Sequence, residues 1–172
     1  DTVVAENFDG VGLVRDVVNN LKCPLQGRRV LILGAGGATR GALLPLLSQG
    51  PAELVIVNRT VAKAQALQSL AQQHHTGSVS IRALGYAELG GQTFDVVFNA
   101  TSASLTAELP PLPATVFAPG CLAYELAYGK GLTPFLKLAQ QAGAERLADG
   151  VGMLAEQAAE AFAWWRGVRP DT

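Results

Sequence analysis

The sequence predicts a doubly wound α/β fold, a parallel sheet of about six strands flanked by helices. Three observations carry that expectation. Short apolar runs alternate along the chain with stretches of helical period. The runs are almost continuously apolar, as strands covered on both faces require. The first run ends in Gly34-Ala35-Gly36-Gly37, which opens directly into a helical stretch.

Each element has its own signal. Asp9 reads as the N-cap of a first helix, with Val11, Val14, Val17, Val18 and Leu21 at helical spacing. Residues 28–33, an apolar run between Gly27 and Gly34, read as the first strand. Residues 38–48 read as a helix, 53–58 as the second strand, and 61–74 as an Ala/Gln/Leu-rich helix. Residues 78–84 and 94–100 are the third and fourth strands. Residues 101–119 carry four prolines and read as a loop with at most one short turn. The fifth strand is 121–126. Thr133-Pro134 opens a helix with proline at its first position. A short strand near 145–147 and a long helix over 151–165 close the chain.

Composition narrows the function. The 172 residues suffice for one domain with a real core, and 49% hydrophobic with 16% charged residues is globular. A net charge of -1 gives no reason to expect nucleic acid or an anionic membrane as partner. No apolar run approaches the roughly 20 residues of a membrane-crossing helix. The start of the sequence shows no signal-peptide pattern, so the expected location is cytoplasmic. The acceptor-like triplets Asn58-Arg59-Thr60 and Asn99-Ala100-Thr101 are then not expected to be glycosylation sites. Cys23 and Cys121 stand apart from CxxC spacing and His74-His75 has no ligand company, so reduced thiols and no metal are expected. The chain starts at Asp1 without an initiator Met, which reads as a segment of a longer polypeptide.

Ligands of doubly wound sheets lie beyond the carboxyl ends of the strands. There, Gly34 permits a tight turn, with Ala35 inside it. Gly36 permits close approach of a pyrophosphate, and a helix opening at Gly37-Ala38 offers free N–H groups and its positive dipole end. Thr39 stands where a dinucleotide fingerprint has its third glycine. The second strand ends in Asn58-Arg59-Thr60 with Lys63 beyond. An acidic residue there accepts the ribose hydroxyls of NAD, whereas Arg59 and Lys63 would attract a 2′-phosphate. NADP is therefore the expected cofactor. A tight turn holding nothing, beside solvated charges, is the bland alternative.

Six stretches, in order, resemble the shikimate dehydrogenase family: NFDGVGLVRD, GAGGATRG, NRTVAKA, NATSAS, YELAYGKGLTPFL and DGVGMLAEQAAEAF. The likeness is to the cofactor-binding half. It implies a Rossmann-type domain over 23–150, an interdomain helix segment over 1–22, and a C-terminal helix over 151–172 that returns toward the substrate cleft. The activity implied is reversible reduction of 3-dehydroshikimate to shikimate by hydride transfer from NADPH. The family's N-terminal substrate domain, which carries the catalytic Lys, has no counterpart in these residues and is an expected partner.

The resemblance makes Asp9 the proton-transfer partner of that Lys and a substrate contact. Tyr128 and Gln157 become substrate contacts. Thr101, within Asn99 to Ser102, falls at the nicotinamide ribose and diphosphate. Leu126, Gly150 and Met153 fall near the nicotinamide. Two positions depart from the family pattern: Phe8 replaces Thr and Glu125 replaces Asp, both expected beside the cleft. Trp164-Trp165 either packs the last helix or faces the absent domain. Three other readings remain open: a quinate/shikimate dehydrogenase using NAD, a non-catalytic cofactor-binding module, and self-association through the apolar face left by that domain.

Overall fold

The computed structural model describes residues 2–103, 108–129 and 131–172. Six strands form one parallel sheet: β1 (Arg29–Leu33), β2 (Glu53–Val57), β3 (Ser80–Leu84), β4 (Phe94–Asn99), β5 (Phe117–Glu125) and β6 (Arg146–Asp149). Their order is β3-β2-β1-β4-β5-β6, so the winding reverses between β1 and β4. The helices are α1 (Asp9–Arg15), α2 (Gly37–Leu47), α3 (Val61–His74), α4 (Pro134–Gln141) and α5 (Val151–Arg166).

Alternation along each strand divides the core in two. Val30, Ile32, Ile56, Val96, Phe98 and Tyr124 pack under α1, α2 and α3. Leu31, Leu33, Val55, Val57 and Val97 face the opposite layer, where α4 contributes Phe135 and Leu136. Both faces being covered explains why the strands read as unbroken apolar runs. No described helix is long and apolar enough to cross a membrane.

α1 is wedged in by its glycines. A Cβ on Gly10 would strike the Gly41 carbonyl of α2. That carbonyl has no helical donor, because Pro45 four residues on lacks an N–H. A Cβ on Gly12 would lie 2.7 Å from the Gln157 nitrogen of α5. The helix then widens into a π-helical turn, Asp16–Asn20.

Five expectations are corrected. Asp9 is not the N-cap. Phe8 takes that position, and the Asn7 side chain accepts the Asp9 amide at 2.9 Å, a local turn that Asn favours. β3 starts two residues later than expected, at Ser80, and β6 extends to Asp149. β5 starts at Phe117, inside the expected loop, and Phe94 pairs with Phe117 before the register shifts. Pro119 and Gly120, the latter at φ +76°, occupy that irregularity and hid the strand from its local signal. The C-terminal aromatic pair packs the last helix only in part: the Trp164 ring meets Phe8 yet is 57% exposed, and Trp165 is 75% exposed.

Candidate functional site

The turn after β1 faces the end of β4. Gly34 has φ +100°, and a Cβ there would sit 3.0 Å from the Ala100 carbonyl, so no other residue fits without strain. Gly36 is extended, and its missing Cβ leaves open space. Its contribution is room, not conformation. Thr39 is fully buried, and its hydroxyl donates to the Gly34 carbonyl at 2.8 Å. That bond ties the helix to the turn, which is how a threonine serves where the fingerprint has a glycine.

A cleft of about 520 Å³ opens over this turn. Gly34, Ala35 and Gly36 form one side, Asn58, Arg59 and Lys63 another, and Thr101 and Ser102 a third. The Asn58 amide donates to the Thr60 carbonyl at 2.9 Å and shapes the approach to α3. Arg59 and Lys63 are exposed, and no described carboxylate forms an ion pair with either. Gly37 and Ala38 lie in the first turn of α2 and Thr60 at the N-cap of α3; none of the three is a wall residue. Tyr86, which the sequence reading missed, also lines the cleft. Burial pushes its phenol up, with the Arg59 charge opposing. The aromatic follows β3 in a Gly-Tyr step, the one local hint of its place.

Thr101 is held from behind. Its hydroxyl donates to the Asn99 oxygen at 2.7 Å, and the Asn99 amide donates to Glu125 at 2.9 Å. Thr133, the N-cap of α4, donates to the same Glu125 oxygen at 3.0 Å. Glu125 is fully buried and lines neither cleft, which corrects its expected place beside the substrate. The longer carboxylate reaches across the strand ends to couple β4, β5 and α4.

A second cleft, of about 180 Å³, joins Asp9 of α1, Leu126 and Tyr128 after β5, and Gly150, Met153 and Gln157 of α5 and its cap. Asp9 stands more than a hundred positions before the others in sequence, and the fold brings them together here. A Cβ on Gly150 would strike the Leu126 carbonyl, so α5 starts directly on the end of β5. Tyr128 is half exposed. Phe8 lines neither cleft; its ring lies 6.0 Å from that of Trp164, an apolar pairing that draws it aside. Ser104 and Lys130, in two of the motif stretches, lie outside the described residues.

Among the described residues, no three His, Cys, Asp or Glu side chains group to hold a metal. Both cysteines are free and buried. Burial pushes the Cys23 thiol up and the Cys121 thiol to about 12, so both stay protonated and unreactive.

Comparison with known proteins gives a consistent family. The family described as shikimate / quinate 5-dehydrogenase matches residues 16–107, and the shikimate 5'-dehydrogenase C-terminal domain matches 150–172. The shikimate dehydrogenase (NADP(+)) of Chromobacterium violaceum is 58% identical over 170 residues, covering 99% of this chain and 61% of that protein. The solved Ael1 enzyme of Pseudomonas putida is 67% identical with a TM-score of 0.90, covering 98% of this chain and 60% of that one. A shikimate dehydrogenase solved in complex with NADP+ is 29% identical with a TM-score of 0.80, covering 96% and 57%. The chain thus spans about three fifths of the length of the curated relatives it matches.

Proposed function

The chain belongs to the shikimate / quinate 5-dehydrogenase family, and from that premise we propose that it is the NADP-binding part of an enzyme that reversibly reduces 3-dehydroshikimate to shikimate. The observation that carries the cofactor choice is the pair Arg59 and Lys63. They stand unneutralised by any described carboxylate at the end of β2, on the same cleft as the glycine turn. An acid at that place would repel a 2′-phosphate, and these two cations attract it.

The residues present fit NADP. The open space at Gly36 admits a diphosphate, and the first turn of α2 presents backbone N–H groups without helical partners. NADPH, when bound, supplies the hydride. Leu126, Gly150 and Met153 would hold the nicotinamide end in the smaller cleft. There Asp9, Tyr128 and Gln157 would orient the substrate's hydroxyls. Asp9 also has the charge to hold an ammonium donor in place while the reduced carbonyl oxygen takes its proton. No Lys of this chain is assigned that donor role. It belongs to the substrate domain that the relatives' additional length represents, and a cytoplasmic location is part of the same reading.

Calorimetric titration of this chain with NADP and, separately, with NAD tests the proposal. The expected result is NADP binding tighter by about two orders of magnitude, the contribution of two charge-assisted phosphate contacts. Equal or tighter binding of NAD would overturn it in favour of an NAD-using relative.

A further inference from the structure

Behind the smaller cleft lies a buried polar cluster that the sequence reading left unexplained. Asp16, 4% exposed, begins the π-helical turn after α1. The Tyr124 hydroxyl, from the end of β5, donates to one of its oxygens at 2.7 Å. Asn20 donates to the other at 3.0 Å and to Glu156 of α5 at 3.0 Å. Neither Arg nor Lys among the described residues forms an ion pair with Asp16. A buried carboxylate without a cation needs other compensation. It finds some in the first turn of α5. A Cβ on Gly152 would overlap the Asp16 carboxylate, so the charge sits against the positive end of that helix. The Met153 amide lies close to the Tyr124 hydroxyl as well.

These partners come from four places: α1 and its π-helical turn, β5, and both the first and second turns of α5. The α5 residues beside them are the ones that line the smaller cleft. Gly12 presses α1 against Met153 and Gln157. Gly150, Met153 and Gln157 then face Asp9 and Leu126. None of the cluster reaches the larger cleft. A π-helical turn inside a helix commonly marks such a functional placement.

We infer that Asp16 and Tyr124 are positioning residues: their buried bond, closed over Gly152, sets the first turns of α5 and so shapes the nicotinamide and substrate cleft without touching either ligand. The identity of the ligands rests on the proposed function above; the mechanical part does not.

Two measurements on this chain test it, with Tyr124→Phe as the main variant and Asp16→Asn as the second. The first is amide hydrogen exchange. Tyr124→Phe should speed exchange over residues 154–158 of α5 by about tenfold relative to the amides of α3, which packs at the other end of the sheet. Unchanged relative exchange overturns the inference, whatever the chain binds. The second is binding of NADP against adenosine 2′,5′-bisphosphate, which carries only the adenosine half. The variant should weaken NADP by about tenfold and leave the bisphosphate within about twofold. A merely structural role would lower both together, and that result overturns the positioning role. If the unaltered chain binds neither compound, the cofactor reading fails while the exchange result still decides the clamp. If Asp16→Asn does not fold, Tyr124→Phe, which keeps the ring and its packing, carries both measurements.

Discussion

The two clefts at the carboxyl edge of the sheet are built differently. The larger is made from strand ends and short turns: a glycine turn after β1, Asn58-Arg59-Thr60 after β2, and Thr101 after β4. Its charged groups are exposed and uncommitted. The smaller is made by docking, with α1 and α5 pressed together through Gly12 and braced by Asp16, Tyr124, Asn20 and Glu156. Its wall positions depend on a buried polar cluster that no ligand touches. The difference teaches that one site is a property of contiguous segments and the other of packing. Loss of the first cleft's charged side chains should alter binding and spare the fold. Damage to the second should alter stability and binding together.

The largest expected effect breaks the packed side of that contrast. Gly12→Ala puts a methyl 2.7 Å from the Gln157 nitrogen, where backbone stands on both sides, and should destabilise the chain by about 3 kcal/mol. A urea midpoint shift measures it; a loss below about 1 kcal/mol would mean that α1 and α5 part easily. The double change Arg59→Ala and Lys63→Ala tests the segmental side. NADP binding should weaken about 100-fold, near 2.7 kcal/mol, with NAD affinity and the melting temperature nearly unchanged. Equal losses for both nucleotides would show that these side chains do not read the 2′-phosphate.

Thr39→Val is smaller and sharpens the comparison, because it removes the one buried side-chain bond that braces the glycine turn. About 1.5 kcal/mol should be lost in thermal unfolding, since the Gly34 carbonyl keeps its burial and loses its donor. No change would make the third fingerprint position indifferent to the hydroxyl.

The smallest effect is a pH dependence on the packed side. Burial works to raise the Glu156 carboxyl, but donors from Thr172, Asn20 and Arg169 outweigh it and hold the group below its ordinary 4.5. A depressed carboxylate stabilises the fold above its ordinary value. That contribution fades as pH falls through the lower, folded value. The melting-temperature gap between the unaltered chain and Glu156→Gln should therefore be steady near neutrality and close on acidification below about pH 4. A gap that widens in acid would contradict the donors' effect.

Much of the larger cleft was legible because its chemistry is local. A strand, a glycine turn and a helix follow one another within residues 29–47, and the cations that read the phosphate lie immediately after the next strand. The α3 boundaries, Val61–His74, are those the periodicity predicts. Asp9 was misread as a cap because Asn7 and Asp9 both suit that role. Only the backbone shows that Phe8 is the N-cap, that the Asn7 side chain accepts the Asp9 amide, and that the Asp9 carboxylate is left to the cleft. Phe8 and Glu125 depart from the family pattern within motif stretches and are expected beside the cleft, yet neither lines it. In a strand the next residue faces the other way, and Glu125 is buried between β4 and α4 while Leu126 meets α5.

The sequence by itself determined the sheet, its winding and the place where an anion would be met. Apolar period and turn chemistry act between near neighbours, and a parallel sheet of this size has few ways to wind. Only the tertiary structure decided that Gly10 and Gly12 are helix contacts, that Thr39 braces its own turn, and that Asp16, Tyr124 and Glu156 close one cluster across 140 residues. Those partners are far apart in sequence. Their selection depends on which backbones can approach closely and which buried charges must be compensated, and neither is set before the elements dock.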